Sequence, residues 1–313
     1  MDKRIICGND GLEVSLVGLG CNAFGNRIDE PSTHRVIDAA IDSGINFMDT
    51  AESYGDGKSE TFMGTGLKRK RNHIFIATKF GFTKSNVPGK NRGSLENIRA
   101  SVEMSLRRLQ TDWIDLYQLH RPDDDTPITD TMSVLEDLVK EGKIRYYGCS
   151  YFSGEQMKNA AQEAKKENLM GFMTAQNAWN VLEREIEEEL IPVCDSENIT
   201  LLPYYPLAKG LLTGKYRRDA DAPTGSRLEG NKDLEDTDFD ILENLESYAK
   251  DYGHDLLTLA ISWLASQTVT ASVIAGASRP EQSISNALAA GWKMTPENLA
   301  DIDKIVSPKN QED

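Results

Sequence analysis

The sequence reads as an α/β protein closing as a (β/α)8 TIM barrel with an N-terminal β-hairpin plug, and three observations predict this. Short β-branched runs recur along the 313 residues, each ending in a polar or glycine-containing turn and followed by a longer segment of helical period. Such alternation implies parallel strands under covering helices, and eight units at this length favour a closed barrel. The open doubly wound sheet, the rival fold, lacks its phosphate-binding fingerprint. The first run ends in GLGCNAFG, where Gly18, Gly20 and Gly25 do not give G-x-G-x-x-G.

In chain order the predicted strands are VSLVGLG, GINFMDT, HIFIATKFG, WIDLYQLH, KIRYYGCS, GFMTAQN, ITLLPYYP and TASVIAGAS. Helices are expected over residues 33–43, 59–68, 94–109, 130–141, 154–166, 183–196, 239–267 and 280–290. The opening RIICGNDGLEV predicts a hairpin turning on Asn9-Asp10-Gly11, placed to plug one end of the barrel. Residues 209–238 form the one long irregular stretch, and loops of that length are usually functional or disordered. No linker marks a second domain, so residues 1–313 are expected to form one.

Composition narrows the function. With 39% hydrophobic and 27% charged residues the chain has an ordinary globular balance. Its net charge of −15 argues against nucleic acid and anionic membranes as partners, since both need a positive footprint. Cys7, Cys21, Cys149 and Cys194 form neither a CxxC pair nor a dense framework, so no disulfide or metal site is expected and a reducing cytoplasm fits best. The N-terminus MDKRIICGND has no apolar segment of signal-peptide length, and LAISWLA is too short to span a bilayer.

A barrel carries its active site at the C-terminal ends of its strands. Those ends are Asp49 after the second run, Lys79 after the third, His120 after the fourth and Ser150 after the fifth, then Gln176 with Asn177, then Tyr204. Tyr54 stands in the glycine-bounded loop DTAESYGDG after Asp49. Each has a bland explanation taken alone: Asp49 as a helix cap, Lys79 as a solvated terminus, His120 as a core histidine, Tyr54 as a turn aromatic. Jointly, an acid, an amine and an imidazole on three successive strand ends point to chemistry. A buried carboxylate needs a partner, and Lys79 supplies one. In return Asp49 keeps the amine charged, and the ammonium is expected to make the Tyr54 phenol more acidic. His120 can then orient a substrate oxygen while Tyr54 delivers a proton to it. The hydride has to come from a carrier, and a reduced nicotinamide is the commonest.

Two further stretches suit a dinucleotide. In SVIAGASRPEQSISN, Pro280 fits a first helical turn, Ser278 with Glu281 matches a capping box, and Arg279 can clamp a phosphate. Lys209, Lys215, Arg217 and Arg218 form a local basic cluster in an acidic chain, as a pyrophosphate requires.

The segments GLGCNAFG, GINFMDTAESYGDGKSE, IATKFG, DLYQLHRPD, GKIRYYGCS, PYYPLAKGLLTGKY and VIAGASRPEQSISN, in that order, resemble the aldo-keto reductase superfamily over nearly the whole chain. The resemblance implies a barrel that reduces a small-molecule aldehyde or ketone with NAD(P)H and without metal, through a tetrad falling on Asp49, Tyr54, Lys79 and His120. It also implies that Ser150 and Gln176 hold the nicotinamide amide and Tyr204 stacks on the ring. Leu207, Lys209, Gly210, Leu212 and Lys215 fall at the pyrophosphate. Gly276, Ser278, Arg279, Gln282 and Asn286 fall at the adenosine end, where an arginine usually meets a 2′-phosphate, so NADPH is expected over NADH. The chain departs from the family pattern at Tyr151, where asparagine is common, at Tyr205, where serine is common, and at Ser285, where glutamate often stands. The substrate wall is expected from Phe24, Tyr54, Phe82, His120 and Trp179 with the region around 215–230, although Trp179 equally reads as packing between two helices. Two other functions fit the pattern: a Schiff-base barrel with Lys79 as nucleophile, and a non-catalytic, cofactor-binding regulatory subunit.

Overall fold

The computed structural model describes residues 1–8, 11–82 and 85–307. Eight parallel strands make the barrel wall: β3 (Val17–Gly20), β4 (Phe47–Asp49), β5 (Phe75–Phe80), β6 (Ile114–Leu119), β7 (Ile144–Ser150), β8 (Thr174–Gln176), β9 (Thr200–Leu201) and β10 (Val273–Gly276). Their order is β10-β3-β4-β5-β6-β7-β8-β9. Single bridges Leu201–Thr270 and Tyr204–Ile274, with Ile274 N–H donating to the Pro203 carbonyl at 2.9 Å, join the two end strands and close the ring.

The first predicted strand becomes two elements. Its start is β2 (Leu12–Ser15), which pairs antiparallel with β1 (Lys3–Ile6) as the expected hairpin, and the barrel wall begins only at Val17. The chain turns at Leu16 because Ser15 donates its hydroxyl to the Val17 carbonyl at 2.7 Å and its N–H to Asn46 Oδ1 at 2.7 Å. The predicted turn residues Asn9 and Asp10 lie outside the described residues.

The covering helices are α1 (Glu30–Asp42), α2 (Lys58–Leu67), α3 (Leu95–Leu109), α4 (Ile128–Lys140), α5 (Gly154–Glu167) and α6 (Ile186–Glu197). They are followed by α7 (Phe239–Asp251), α8 (Leu256–Ser266), α9 (Pro280–Leu288) and α10 (Pro296–Val306). Side-chain caps start many of them: Asp29, Ser94, Asp238 and Asp255 each accept a first-turn N–H. The single helix expected over 239–267 is broken, since Gly253 takes a φ of +76° and Asp255 opens a new helix. Helix α10, absent from the sequence reading, starts on a capping box of Thr295 with Asn298.

Period-two alternation inside the strands layers the barrel interior. Phe47, Ala77 and Leu116 face inward at the N-terminal end, where they pack with the hairpin residues Ile6, Leu12 and Val14. Two positions further along the same faces come Asp49, Lys79 and Gln118, then His120. An apolar plug therefore sits beneath a polar layer. The opposite faces, among them Ile76 and Tyr117, pack with Met63, Ile98 and Val102 of the covering helices. Among the described residues all four cysteines are buried and free, no group of acidic, cysteine and histidine side chains is placed to hold a metal, and no helix is long and apolar enough to cross a membrane.

Ile6 is 1% exposed within the plug. Ile6→Ala is expected to lower unfolding stability by about 2–5 kcal/mol. Chemical denaturation measures it, and a loss under about 1 kcal/mol would remove the hairpin from the core.

Candidate active site

Strand ends β4 and β5 bring Asp49 and Lys79 together. Lys79 is fully buried, and its Nζ donates to Asp49 Oδ2 at 2.7 Å and to the Thr50 carbonyl at 2.7 Å. The other carboxylate oxygen, Oδ1, accepts from Gln176 Nε2 at 2.9 Å and, more weakly, from Gln118 Nε2 at 3.5 Å. The buried charge pair is thus saturated, as burial demands. The ammonium also lies 5.1 Å from the centroid of the Tyr54 ring, and the His120 ring meets Tyr54 edge-on at 5.9 Å.

The acidity of Tyr54 runs opposite to the sequence expectation. Burial first, and then the Asp49 carboxylate, push the phenol well above its ordinary value. Lys79 does not reverse this, because its hydrogen bonds go to Asp49 and Thr50 rather than to the phenol oxygen. At rest the hydroxyl keeps its proton. His120 moves the other way: burial, then Lys79 and Arg121, lower its pKa to about 2. The imidazole is therefore neutral at physiological pH, and its buried Nδ1 has no hydrogen-bond partner among the described residues.

Asp49, Tyr54 and His120 open onto a cleft of about 570 Å³. Ser150, Gln176, Tyr204, Leu207, Lys209, Gly210 and Lys215 line it, and its far end is reached at Gly276, Ser278, Arg279 and Gln282. Phe82 stands beside His120, with ring centroids 4.6 Å apart. Ser150 donates to the Gln176 carbonyl at 2.7 Å. Lys79 lies beneath the lining, shielded by the residues it supports.

Four expected contacts fall elsewhere. Phe24 is fully buried in the main core, and Trp179 packs edge-on against Trp263 of α8 while donating to Glu187 of α6 at 2.9 Å, which is its helix-packing alternative. Leu212 is fully buried, and Asn286 donates its side-chain amide to the Gly276 carbonyl at 3.3 Å, bracing the end of β10. The expected capping box is also replaced. Gln282, not Glu281, reaches back to Ser278 through its Oε1, and Arg279 occupies the N-cap.

The basic cluster divides. Arg217 and Arg218 point away from the cleft, to Glu246, Glu243 and Asp240 of α7, and Lys209 is held by Asp233 at 2.7 Å. The cleft gains Arg27 and, from the expected 215–230 pocket region, Arg227 instead. Among its described lining residues Asp49 is the one acid, and Lys79 neutralises it, whereas five are basic: Arg27, Lys209, Lys215, Arg227 and Arg279. Arg27, Lys215, Arg227 and Arg279 have no ion pair among the described residues. An elongated basic groove in a chain of net charge −15 fits a dinucleotide.

Tyr151 and Tyr205, two of the positions where the sequence departs from the family pattern, both line the cleft. Tyr151 follows the strand-ending Ser150, a signal available from the sequence. Arg227 lies in the 215–230 region expected to wall the pocket, but nothing local singles out this arginine.

Fold and site define a class: a (β/α)8 barrel whose polar centre and cleft lie at the carboxyl ends of its strands. The family model of the aldo/keto reductase family matches residues 16–307, and the chain belongs to that family. Aldo-keto reductase YhdN of Bacillus subtilis is 36% identical over 95% of this chain and 91% of its own. A probable voltage-gated potassium channel subunit beta of Oryza sativa is 32% identical over 96% of both chains. Among solved structures, the glycerol dehydrogenase of Gluconobacter oxydans superposes with a TM-score of 0.84 at 34% identity, covering 97% of this chain and 95% of that one. A holo-form aldo-keto reductase of Bacillus halodurans superposes with a TM-score of 0.81 at 32% identity, covering 99% of each. The protein is an oxidoreductase of this family, whose members use nicotinamide cofactors on small-molecule carbonyl compounds.

The lowered His120 pKa has a consequence for stability. Its folded value lies below the ordinary 6.5, so the unfolded chain binds the extra proton as pH falls through that value. The stability contributed by His120 is present above 6.5 and is lost progressively toward about 2. Thermal melts at about pH 7.5 and about pH 5.5 should show a larger loss for the parent chain than for His120→Asn. Equal losses would contradict the buried, neutral imidazole.

Proposed function

We propose that this protein reduces an aldehyde or ketone to the alcohol with NADPH, and that Tyr54 supplies the proton. The observation that carries the reading is the buried Lys79–Asp49 pair lying beneath Tyr54, with His120 at its edge, on the floor of a basic cleft. When bound, the reduced nicotinamide supplies the hydride that no side chain can carry. The residues of this chain do the rest. A neutral His120 offers an N–H to the substrate oxygen without adding a charge. As that oxygen takes on alkoxide character it becomes a far stronger base than a phenolate, so even a phenol of raised pKa gives up its proton downhill. The Lys79 ammonium, held by Asp49 at 5.1 Å from the Tyr54 ring centroid, stabilises the phenolate left behind. In this reading Ser150 and Gln176 hold the carboxamide, Tyr204 offers a ring face, and Arg279 with Lys215 supplies cations for phosphates, supported by their common place in the cleft lining.

The arrangement of Lys79 argues against Schiff-base chemistry, because its Nζ is bound to Asp49 and Thr50, fully buried beneath the cleft lining and out of reach of a carbonyl there. The relative described as a probable channel subunit beta keeps a second reading open, in which the cleft binds cofactor without turnover. Four buried free thiols fit a reducing cytoplasm.

Oxidation of NADPH with a panel of aldehydes is the direct assay. Tyr54→Phe is expected to lower kcat about 10²–10⁴-fold with NADPH affinity retained; an unaffected rate would remove Tyr54 as donor. Arg279→Ala should weaken NADPH binding about tenfold to a hundredfold and leave NADH less affected. Equal losses for both cofactors, measured by fluorescence titration, would end the assignment of a 2′-phosphate to Arg279. Tight NADPH binding with no turnover across the panel would favour the non-catalytic reading.

A further inference from the structure

Two of the positions at which this chain departs from its family's pattern, Tyr151 and Tyr205, flank Tyr204 in the cleft wall. Tyr151 has a φ of +62° and Tyr205 a φ of +55°, a left-handed backbone that bulky side chains rarely adopt. The three rings form a run, with centroids 5.4 Å apart from Tyr151 to Tyr204 and 4.9 Å from Tyr204 to Tyr205. A guanidinium caps each end: Arg121 lies 4.1 Å from the Tyr151 ring and Arg227 lies 4.7 Å from the Tyr205 ring. Arg121 also lies 4.9 Å from the Phe82 ring. One cation therefore ties together rings from the loops after β5 and β7, on either side of His120.

We propose that Tyr151, positioned by Arg121, sets the size limit of the substrate pocket. Its ring stands 6.4 Å from that of His120 and fills the space between the orienting imidazole and Tyr204. A strained backbone persists only where its surroundings over-determine it. Here the Tyr151 N–H donates to the Gln176 carbonyl at 3.2 Å and fixes the backbone, while the stack on Arg121 and the contact with Tyr204 fix the ring that this backbone presents to the cleft. Tyr151 is then the specificity-determining residue. Arg121, half-buried and absent from the cleft lining, acts through it. With the ring in place the carbonyl compound beside His120 has to be slender on that side; without it the pocket opens toward Arg121.

The inference rests on the proposed carbonyl reduction, and its test separates the two. Values of kcat/KM for propanal and for naphthaldehyde at saturating NADPH give a selectivity ratio in the parent, Tyr151→Gly and Tyr151→Asn, both replacements being suited to a positive φ. The ratio should move toward naphthaldehyde by about tenfold or more in both variants, and Tyr151→Phe should leave it near the parent value. Arg121→Leu should shift it in the same direction, and should add nothing in the Tyr151→Gly background, because the two act as a unit. An unchanged ratio in a Tyr151→Gly or Tyr151→Asn protein that still turns over propanal overturns the size limit. An Arg121→Leu shift of equal size with and without Tyr151 overturns the positioning role. Failure of the parent to turn over any carbonyl compound overturns the carbonyl-reduction reading itself, and this inference with it.

Discussion

The site depends on one contact, the Lys79 ammonium against the Asp49 carboxylate, both withdrawn from water at the strand ends of a barrel. An unpaired charge there would be prohibitively costly, so each group licenses the other. Gln176 and Gln118 satisfy the remaining carboxylate oxygen and the Thr50 carbonyl takes a second ammonium proton, which leaves the pair with one arrangement. That arrangement sets what surrounds Tyr54 and His120. The phenol is pushed toward its neutral form by burial and the nearby carboxylate, and the imidazole toward its neutral form by burial and the nearby cations. Two groups of opposite titration behaviour are both left uncharged.

Beneath this layer the hairpin plug does quieter work. Strand alternation puts Phe47, Ala77 and Leu116 two residues below Asp49, Lys79 and Gln118 on the same inward faces. An apolar floor sealed by Ile6, Leu12 and Val14 keeps water from reaching the pair from the N-terminal side, which sustains the low dielectric that its strength requires.

Charge is distributed on a larger scale with the same economy. The chain carries fifteen excess negative charges, yet the cleft is lined by cations. Acidic residues of α7 hold Arg217 and Arg218 on the outside, and Asp233 takes Lys209, while Arg27, Lys215, Arg227 and Arg279 stay without acidic partners among the described residues. Net charge therefore says little about this site; what matters is which cations the fold leaves uncommitted.

Strand ends were legible from the sequence because a (β/α)8 alternation dictates where they point, and so Asp49, Lys79, His120, Ser150, Gln176 and Tyr204 could be named from local pattern alone. Phe24, Trp179, Leu212 and Asn286 could not be separated from true lining residues, because whether a loop side chain turns into the core or into a cleft depends on partners far along the chain, such as Trp263 for Trp179. Arg227 reaches the cleft through a loop whose course follows no periodicity. Sequence by itself determined the elements, their parallel order and the chemical types on the rim, all properties of short-range periodicity and strand polarity. Only the tertiary structure decided the direction in which Tyr54 and His120 titrate, which basic residues remain free and that two strained tyrosines frame Tyr204, because burial and through-space charge are set by the whole packed molecule.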